Sequence, residues 1–144
     1  IYLAGHFSDG ALLAADYTTR MEAAELVATP APLRGALVIS SGCHSGYNTV
    51  DGDAVSGVTA QPDWAQAFAR NGATLIAGTG YQYGDTQFVQ FAEELYVYLA
   101  QQLRVGEGPV AIGPALAAAK QRYLLASARL RAIDQKTLAI ASLY

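Results

Sequence analysis

Short apolar runs alternate with helical patterns along this chain, and that alternation limits the fold more than any other feature. The runs at residues 1–4, 36–39 and 73–77 are continuous, as expected of strands buried on both faces. Helical patterns lie between and after them. The order strand, helix, strand, helix, strand, helix predicts an α/β fold with an open, mostly parallel sheet flanked by helices.

The helix boundaries can be predicted from capping residues. Thr19 and Glu22 have the spacing of a capping box, which predicts a first helix beginning at Thr19 and ending before Pro30. Asp63 begins a second helix, which Asn71 and the glycine after it end. Two more helices and a final apolar run are expected over residues 86–103, 114–132 and 138–143.

Length and composition exclude several classes of protein. The chain has 144 residues, which suits one domain of about 100–200 residues. It is 52% hydrophobic and carries a net charge of -3, which argues against disorder and against nucleic-acid binding. No apolar stretch reaches the roughly 18–20 residues of a membrane span. A single cysteine excludes an intrachain disulfide and a cysteine-rich zinc site.

The ends of the sequence predict a fragment. The chain begins at Ile1 inside one apolar run and stops at Tyr144 directly after another, whereas natural domain boundaries are polar. Only 15% of the residues are charged, below the usual value of about 25%. We therefore expect a single domain over residues 1–144, truncated at both ends, with flanking domains of the same protein as partners.

Function in a parallel α/β sheet gathers at the carboxyl ends of the strands. His6 follows the first apolar run, and Cys43 and His44 follow the second. If these two strands are neighbours, His6 and Cys43 emerge at the same edge. A thiolate beside an imidazole is a nucleophile for acyl transfer, and nearby glycines leave backbone N–H groups free for an oxyanion. The pattern thus favours a Cys-His dyad.

Other interpretations of these residues stay open. A lone cysteine in an apolar α/β domain is often a buried core residue. His44 points away from its neighbour Cys43 in most backbone conformations, so it is the weaker imidazole candidate. Asp51 and Asp53 could contact calcium, but two carboxylates are too few to define a site. No nucleophile elbow, dinucleotide fingerprint or phosphate-binding loop has the required spacing.

The two loops resemble known catalytic motifs. A strand followed by Gly5-His6, and a strand followed by residues 41–46 (Ser-Gly-Cys-His-Ser-Gly), are similar to the paired motifs of caspase-like, clan CD cysteine peptidases. The Cys-His-Ser-Gly stretch resembles the nucleophile motif of metacaspases. Residues 71–73, 112–113 and 117–120 more closely resemble bacterial gingipain-type peptidases and CHAT domains.

The resemblance implies a three-layer caspase-like fold and a cysteine endopeptidase that needs no cofactor and acts on a protein or peptide substrate. His6 would protonate the leaving amine, Cys43 would attack the scissile carbonyl, and the N–H groups near Phe7 and Cys43 would bind the oxyanion. It also makes a secreted or cell-surface location plausible. Two residues depart from the family pattern: Phe7 replaces the usual glycine after the histidine, and Ser41 replaces the acidic residue of metacaspases.

The charge distribution suggests a substrate class. Residues 1–100 hold three basic and ten acidic residues, a balance of -7, whereas residues 101–144 hold six basic and two acidic, a balance of +4. An acidic surface around the loops favours cationic substrates. We therefore expect cleavage after Arg or Lys, with Asp85 or Asp9 near the specificity pocket, although each could be an ordinary solvated carboxylate.

Two non-enzymatic alternatives remain. The same fold could serve as a catalytically inactive caspase-like or CHAT interaction module, because fold alone does not determine function. A plain α/β ligand-binding domain would instead have Cys43 buried and remote from His6.

Overall fold

The three apolar runs form neighbouring strands in the computed structural model, which describes residues 1–14, 16–29, 32–49, 53, 55–58 and 62–144. The strands are β1 (Tyr2–Leu3), β2 (His6–Phe7), β3 (Ala11–Leu13), β4 (Arg20–Glu22), β5 (Leu37–Ser40), β6 (Thr74–Gly78) and β7 (Ala141–Leu143). The helices are α1 (Ala23–Ala28), α2 (Trp64–Arg70), α3 (Ala92–Gln102), α4 (Ile112–Ala126) and α5 (Ala132–Ile140).

The contacts of the chain separate it into two compact units. The first unit contains Ile1–Gln82 together with Ile140–Tyr144, and the second contains Tyr83–Ala139. All seven strands described belong to the first unit, together with α1 and α2. Both motifs singled out in the sequence, around His6 and around Cys43, therefore fall in the first unit.

The main sheet has the strand order β1-β5-β6-β7. Strands β1, β5 and β6 run parallel, and β7 is antiparallel to β6. The predicted α/β fold with a mostly parallel sheet flanked by helices is therefore confirmed. The final apolar run, however, does not form one element: it divides into the last turn of α5 and β7, because residues 141–143 pair with β6.

A second sheet was not anticipated. Strands β2, β3 and β4 form a three-stranded antiparallel sheet that includes His6 and Phe7. The prediction of a helix starting at Thr19 was wrong, because Arg20–Glu22 pairs with β3. Helix α1 begins at Ala23 instead, with a capping box between Glu22 and Glu25. Its predicted stop at Pro30 lies outside the described residues.

One apolar cluster joins α1 and α2 to the main sheet. Its buried side chains include Leu26 of α1, Trp64 and Phe68 of α2, Val38 of β5 and Leu75 of β6. The predicted start of α2 is confirmed, since the Asp63 carboxylate accepts a hydrogen bond from the N–H of Gln66. These contacts hold the amino-terminal end of α2 in a fixed place within the first unit.

The second unit is helical, and α3 packs against α4. Apolar side chains at helical spacing are buried in it: Leu95, Tyr96, Leu99, Leu116, Ala119 and Tyr123. The expected start of α3 near residue 86 was wrong, because Asp85 caps a turn there and Phe88 is 64% exposed. Helix α4 also ends at Ala126 rather than near residue 132.

Within the described residues, the helices are too short or too polar to cross a membrane.

Candidate functional site

His6 and Cys43 lie beyond the carboxyl ends of two adjacent parallel strands. The register pairs Tyr2 with Ile39 and Leu3 with Ser40, an offset of 37 residues. The same offset separates His6 from Cys43, so each residue lies three positions beyond the last pair. The two motifs therefore emerge at the same edge of the sheet, as the sequence predicted.

Direct packing joins the two loops. A Cβ atom placed on Gly42 would lie only 2.0 Å from Cδ2 and 2.4 Å from Cγ of Phe7. Thus the residue after His6 lies against the residue before Cys43. Phe7 is buried and meets the Trp64 ring edge-on at 5.6 Å. The phenylalanine that departs from the family pattern is therefore part of the packing that brings the two motifs together.

The turn that carries Cys43 is tied to the end of β6. The N–H of His44 donates to the carbonyl of Gly80 at 2.9 Å, and the N–H of Gly46 donates to Gly78 at 3.0 Å. A Cβ atom on Gly46 would lie 2.9 Å from backbone atoms of Ala77, so this close approach requires glycine. The turn is fixed on the sheet by its backbone.

One N–H group in this turn has no hydrogen-bond acceptor among the described residues. The amides of Gly42, His44, Ser45 and Gly46 all donate hydrogen bonds within the protein. The N–H of Cys43, in contrast, has no acceptor among the residues that the structure describes. An oxyanion hole needs such an unengaged donor next to the nucleophile.

The backbone of Phe7 offers a second donor. Ser8 donates its N–H to the carbonyl of Ala11, and hydrogen-bonded and non-hydrogen-bonded pairs alternate in an antiparallel ladder. Phe7 and Leu12, the next pair, are therefore a non-hydrogen-bonded pair. Because β2 is an edge strand, the N–H of Phe7 points to the open edge of the small sheet.

The Cys43 thiol is half-buried and donates to the backbone carbonyl of Gln82 at 3.5 Å. The Gln82 side chain in turn donates to the carbonyls of Ser40 and Gly42, at 2.9 Å and 2.8 Å. Gln82 thus supports the Cys43 turn from both its backbone and its side chain. Sequence reasoning missed it, because the glycines at 78 and 80 indicated only a loop after β6.

His6 is exposed on β2, and its Nε2 lies 3.1 Å from the Tyr17 hydroxyl. The two rings also face each other, with centroids 5.0 Å apart and planes 31° apart. In the described part of the chain, no hydrogen bond joins the His6 imidazole to the Cys43 thiol. Catalytic hydrogen bonds are often long in unliganded sites and shorten when substrate binds.

His44 adopts a backbone conformation that is uncommon for a residue with a side chain. Its φ is +57°, in the left-handed region, and its ring meets Tyr81 edge-on at 4.5 Å. The ring lines an open pocket of about 500 Å³. His44 therefore contributes to the shape of that pocket, and no hydrogen bond of its ring to another described side chain is present.

The pocket beside the two loops is largely aromatic. Its walls come from the residues that follow His6, from the Cys43 turn and from the segment after β6: Phe7, Ser8, Asp9, His44, Tyr47, Val58 and Tyr81. Asp9 is half-buried, and its backbone carbonyl accepts a hydrogen bond from the N–H of Trp64. Asp9 and Asp85 are the two carboxylates that the sequence suggested for the specificity pocket. Of these two, Asp9 lines this pocket.

Asp85 has a different environment. It belongs to the second unit and is exposed, and its Oδ1 accepts hydrogen bonds from the N–H groups of Gln87 and Phe88, at 2.8 Å and 3.0 Å. These bonds are those of a residue that stabilises its own turn. Asp85 therefore has a local structural role.

Asp63 anchors the segment that follows the Cys43 turn. Its carboxylate is buried and accepts hydrogen bonds from the Asn48 side chain at 3.0 Å and the Thr49 N–H at 3.2 Å, besides capping α2. Gln66 adds a bond from its side chain to the Thr49 carbonyl. The sequence predicted that the helix starts at Pro62 and Asp63, but it did not predict these bonds to Asn48 and Thr49.

Metal coordination finds no support in the described ranges, where no cluster of three or more His, Cys, Asp or Glu side chains occurs. The two-aspartate calcium interpretation includes Asp51, which lies outside the described residues.

Comparison with protein-family models, with curated proteins and with solved structures finds no match to this chain. Any functional assignment therefore depends on the residues and geometry described above.

Proposed function

We propose that this chain is the catalytic part of a caspase-like cysteine endopeptidase of the gingipain type, with Cys43 as nucleophile and His6 as acid and base. The observation that carries the proposal is the N–H of Cys43, which has no acceptor among the described residues, on a turn held next to the strand end that bears His6. A core cysteine would not need a free amide beside it, whereas an acyl-transfer site does.

The reaction begins when the Cys43 thiol transfers its proton to His6 and the thiolate attacks the scissile carbonyl. A carbon–sulfur bond forms, and the carbonyl oxygen becomes an oxyanion that accepts hydrogen bonds from the N–H groups of Cys43 and Phe7. His6 then gives its proton to the leaving amine as the carbon–nitrogen bond breaks. Water, deprotonated by His6, hydrolyses the thioester, and the proton returns to the thiolate.

The proposed substrate is a peptide with a basic residue at the cleavage site. Residues 1–100 carry the acidic balance of -7, and Asp9 lines a pocket whose other walls include Phe7 and Tyr81. Aromatic faces together with a carboxylate favour a guanidinium or ammonium group. The charge pattern and this lining support the same substrate class.

A second candidate is a caspase-like interaction module without peptidase activity. Phe7 favours it, because this bulky residue stands where the resembled family has glycine, directly beside the proposed oxyanion hole. The absence of a His6–Cys43 hydrogen bond in the described residues is compatible with it too.

Turnover of short peptides separates these two candidates. Peptides ending in Arg, Lys, Asp or Asn before a fluorogenic leaving group would be incubated with the wild-type chain, Cys43→Ala and Asp9→Asn. The proposal predicts cleavage after Arg or Lys, complete loss in Cys43→Ala and a raised KM in Asp9→Asn. Cleavage after Asp or Asn instead would contradict the substrate assignment, and undiminished turnover by Cys43→Ala would contradict the nucleophile.

Asp85→Asn is the matched control for Asp9→Asn. It removes the same charge from a carboxylate whose hydrogen bonds are all to its own turn. An equal rise in KM for both variants would show that overall charge, and not the pocket, selects the substrate.

A further inference from the structure

The imidazole of His6 has a hydrogen-bond partner to which the proposed function gives no role. The Tyr17 hydroxyl lies 3.1 Å from Nε2, and the tyrosine ring lies against the imidazole ring. Nothing in the sequence pattern pointed to Tyr17, because it lies in the turn between β3 and β4, eleven residues from His6.

Tyr17 is held in place by its own turn. Ala14 donates its N–H to the carbonyl of Thr19 and accepts from the N–H of Tyr17, at 2.9 Å and 3.0 Å. The Asp16 carboxylate accepts hydrogen bonds from the hydroxyl of Thr19 and from the N–H groups of Thr18 and Thr19. These bonds, with the Thr19 hydroxyl foremost, hold the pKa of Asp16 well below its usual range.

The backbone of Tyr17 is strained. Its φ is +57°, a left-handed conformation that a residue with a bulky side chain rarely adopts. Strain of this kind persists only where the surrounding structure imposes it, and it is common at functional sites. The turn therefore maintains a costly conformation at the residue whose hydroxyl meets His6.

The small antiparallel sheet presents both residues together. His6 is paired with Leu13 of β3, and Leu13 is paired with Arg20 of β4. The turn that carries Tyr17 connects these last two strands, so the tyrosine arises from the same sheet as the histidine. A sheet of three hydrogen-bonded strands is a firmer support than an isolated loop.

We propose that Tyr17 is the residue that positions the His6 imidazole, a proposal that rests on the proposed peptidase function. Its hydroxyl accepts the Nε2–H hydrogen bond and fixes the plane of the ring. Nδ1 is then the nitrogen that exchanges a proton with Cys43 and with the leaving amine. When one ring nitrogen is held by a partner, the tautomer and the orientation of a catalytic histidine are determined.

The Tyr17 hydroxyl can accept from Nε2 whether His6 is neutral or protonated, because both ring nitrogens of an imidazolium are donors. On β4, Arg20 lines a shallow groove together with His6, and Glu22 forms an ion pair with Arg20. Glu22 offsets the positive charge of Arg20. Among the described residues, the Tyr17 hydroxyl is the polar group that hydrogen-bonds to the His6 ring.

The test is the variant Tyr17→Phe, which keeps the ring and removes the oxygen. Tyr17 is 67% exposed, so the substitution leaves the fold intact. We expect kcat to fall about ten- to a hundredfold, because general acid–base catalysis contributes about 10²–10⁴-fold and misorientation removes part of it. KM should change much less, since the hydroxyl acts on the imidazole and not on substrate binding.

Tyr98→Phe is the matched control. It removes a hydroxyl that donates to Glu94 at 2.8 Å within α3, away from both motifs in the sequence. The proposal predicts wild-type kcat and wild-type KM for this variant. An equal loss in both variants would show that the effect at Tyr17 is general and would overturn the positioning role.

A second readout does not need catalysis. The chain has two histidines, so the ring resonances of His6 can be assigned in NMR spectra by comparison with His44→Gln. In Tyr17→Phe we expect the tautomer distribution of His6, read from the ¹⁵N shifts of its ring, to change, because the partner that holds Nε2 is lost. An unchanged tautomer distribution together with wild-type kcat, or a rise in kcat, overturns the proposal.

These outcomes are distinguishable from failure of the proposed function. If the chain is not a peptidase, the wild-type protein and Cys43→Ala will be equally inactive, whatever Tyr17→Phe does to the His6 resonances. If the chain is a peptidase and Tyr17 is not a positioning residue, Cys43→Ala will be inactive and Tyr17→Phe will match the wild type.

Discussion

At the scale of single residues, the candidate site depends on how closely Gly42 lies to Phe7. The sequence suggested that the glycine leaves the backbone bare for an oxyanion. The structure adds a steric reason, since any larger residue at 42 would overlap the Phe7 side chain. The same contact explains how the chain accommodates Phe7 directly after His6. The Phe7 ring occupies the space that a side chain at position 42 would fill.

This contact predicts a severe effect of Gly42→Ala. The new Cβ would lie 2.0 Å from Cδ2 of Phe7, so either the buried ring or the Cys43 turn must move. We expect a loss of about 1–3 kcal/mol in the free energy of unfolding, the usual cost of overpacking. Peptide turnover should fall more than tenfold, because the oxyanion donors shift. Urea denaturation and steady-state kinetics measure the two effects.

Gly80→Ala serves as the control for that substitution. Its Cβ would meet only Cγ2 of Ile140, at an ordinary distance of 3.8 Å. We expect a change in unfolding free energy below about 1 kcal/mol, within the range of backbone effects. Equal destabilisation by Gly42→Ala and Gly80→Ala would argue against the Phe7 contact as the cause.

At the scale of secondary-structure elements, the start of α2 supports the candidate site. Asp63 caps the helix and also binds Asn48 and Thr49, which follow the Cys43 turn. Asp63→Ala should therefore lower the free energy of unfolding by about 2 kcal/mol, the upper end for a helix cap. If Cys43 is the nucleophile, as proposed, turnover should also fall, because the segment after Cys43 loses its anchor.

Asp63→Asn separates the two roles of this side chain. The amide keeps an oxygen for the Gln66 N–H, so most of the helix cap should survive. It can satisfy Asn48 and Thr49 less well, because one carboxylate oxygen becomes a donor. Thermal melts should place Asp63→Asn between the wild type and Asp63→Ala; the reverse order would contradict this account of the cap.

Helix α5 gives a prediction about acid stability. The Arg131 side chain, the Arg131 N–H and the Tyr123 hydroxyl donate to the buried Asp134 carboxylate, and Arg131 foremost lowers its pKa to about 2. Because the folded value lies below the unfolded value of about 3.9, the stabilisation is complete above about pH 5. It is lost as the pH falls toward 2.

The size of this effect is about 2–3 kcal/mol. Urea denaturation of the wild type and of Asp134→Asn between pH 2 and pH 6 measures it. The difference in unfolding free energy between the two should be largest near pH 6 and should shrink on acidification. A difference that is constant with pH would show that Asp134 does not contribute through its charge.

Elements that depend on neighbouring residues were predictable, and elements that depend on pairing across the chain were not. The start of α2 was predicted because Pro62 and Asp63 are typical of a helix start. Thr19 also has a local signal of a helix start, but residues 20–22 pair with β3, and that pairing prevents a helix there. Cys43 was predicted to emerge at the same edge as His6, because the carboxyl ends of neighbouring parallel strands meet at one edge of the sheet.

The partners of the candidate catalytic residues could not be predicted in the same way. Tyr17 reaches His6 through a strained turn, and Gln82 reaches Cys43 by folding back over Gly78. Neither contact produces a periodic pattern or a motif. Such contacts depend on the geometry of turns, which forms only when the sheets assemble. The spacing of residues in the sequence therefore does not predict them.

At the scale of the whole molecule, charge and architecture point to the same part of the chain. Both motifs belong to the unit built from Ile1–Gln82 and Ile140–Tyr144. This unit holds three basic and seven acidic residues, a balance of -4, so it carries most of the acidic excess of residues 1–100. An acidic surface attracts basic peptides over a distance of about a Debye length, roughly 8–10 Å in ordinary buffers.

The central claim is that Cys43 is a nucleophile activated by its site. Intact-mass analysis after incubation with an arginyl acyloxymethyl ketone tests it most directly, because the chain has one cysteine and one adduct is the maximum. We predict stoichiometric labelling of the folded wild type, none of Cys43→Ala, and slow labelling of His6→Ala. Iodoacetamide should still alkylate unfolded His6→Ala fully. Equal ketone labelling of the wild type and His6→Ala, or no labelling of the wild type, would contradict the claim.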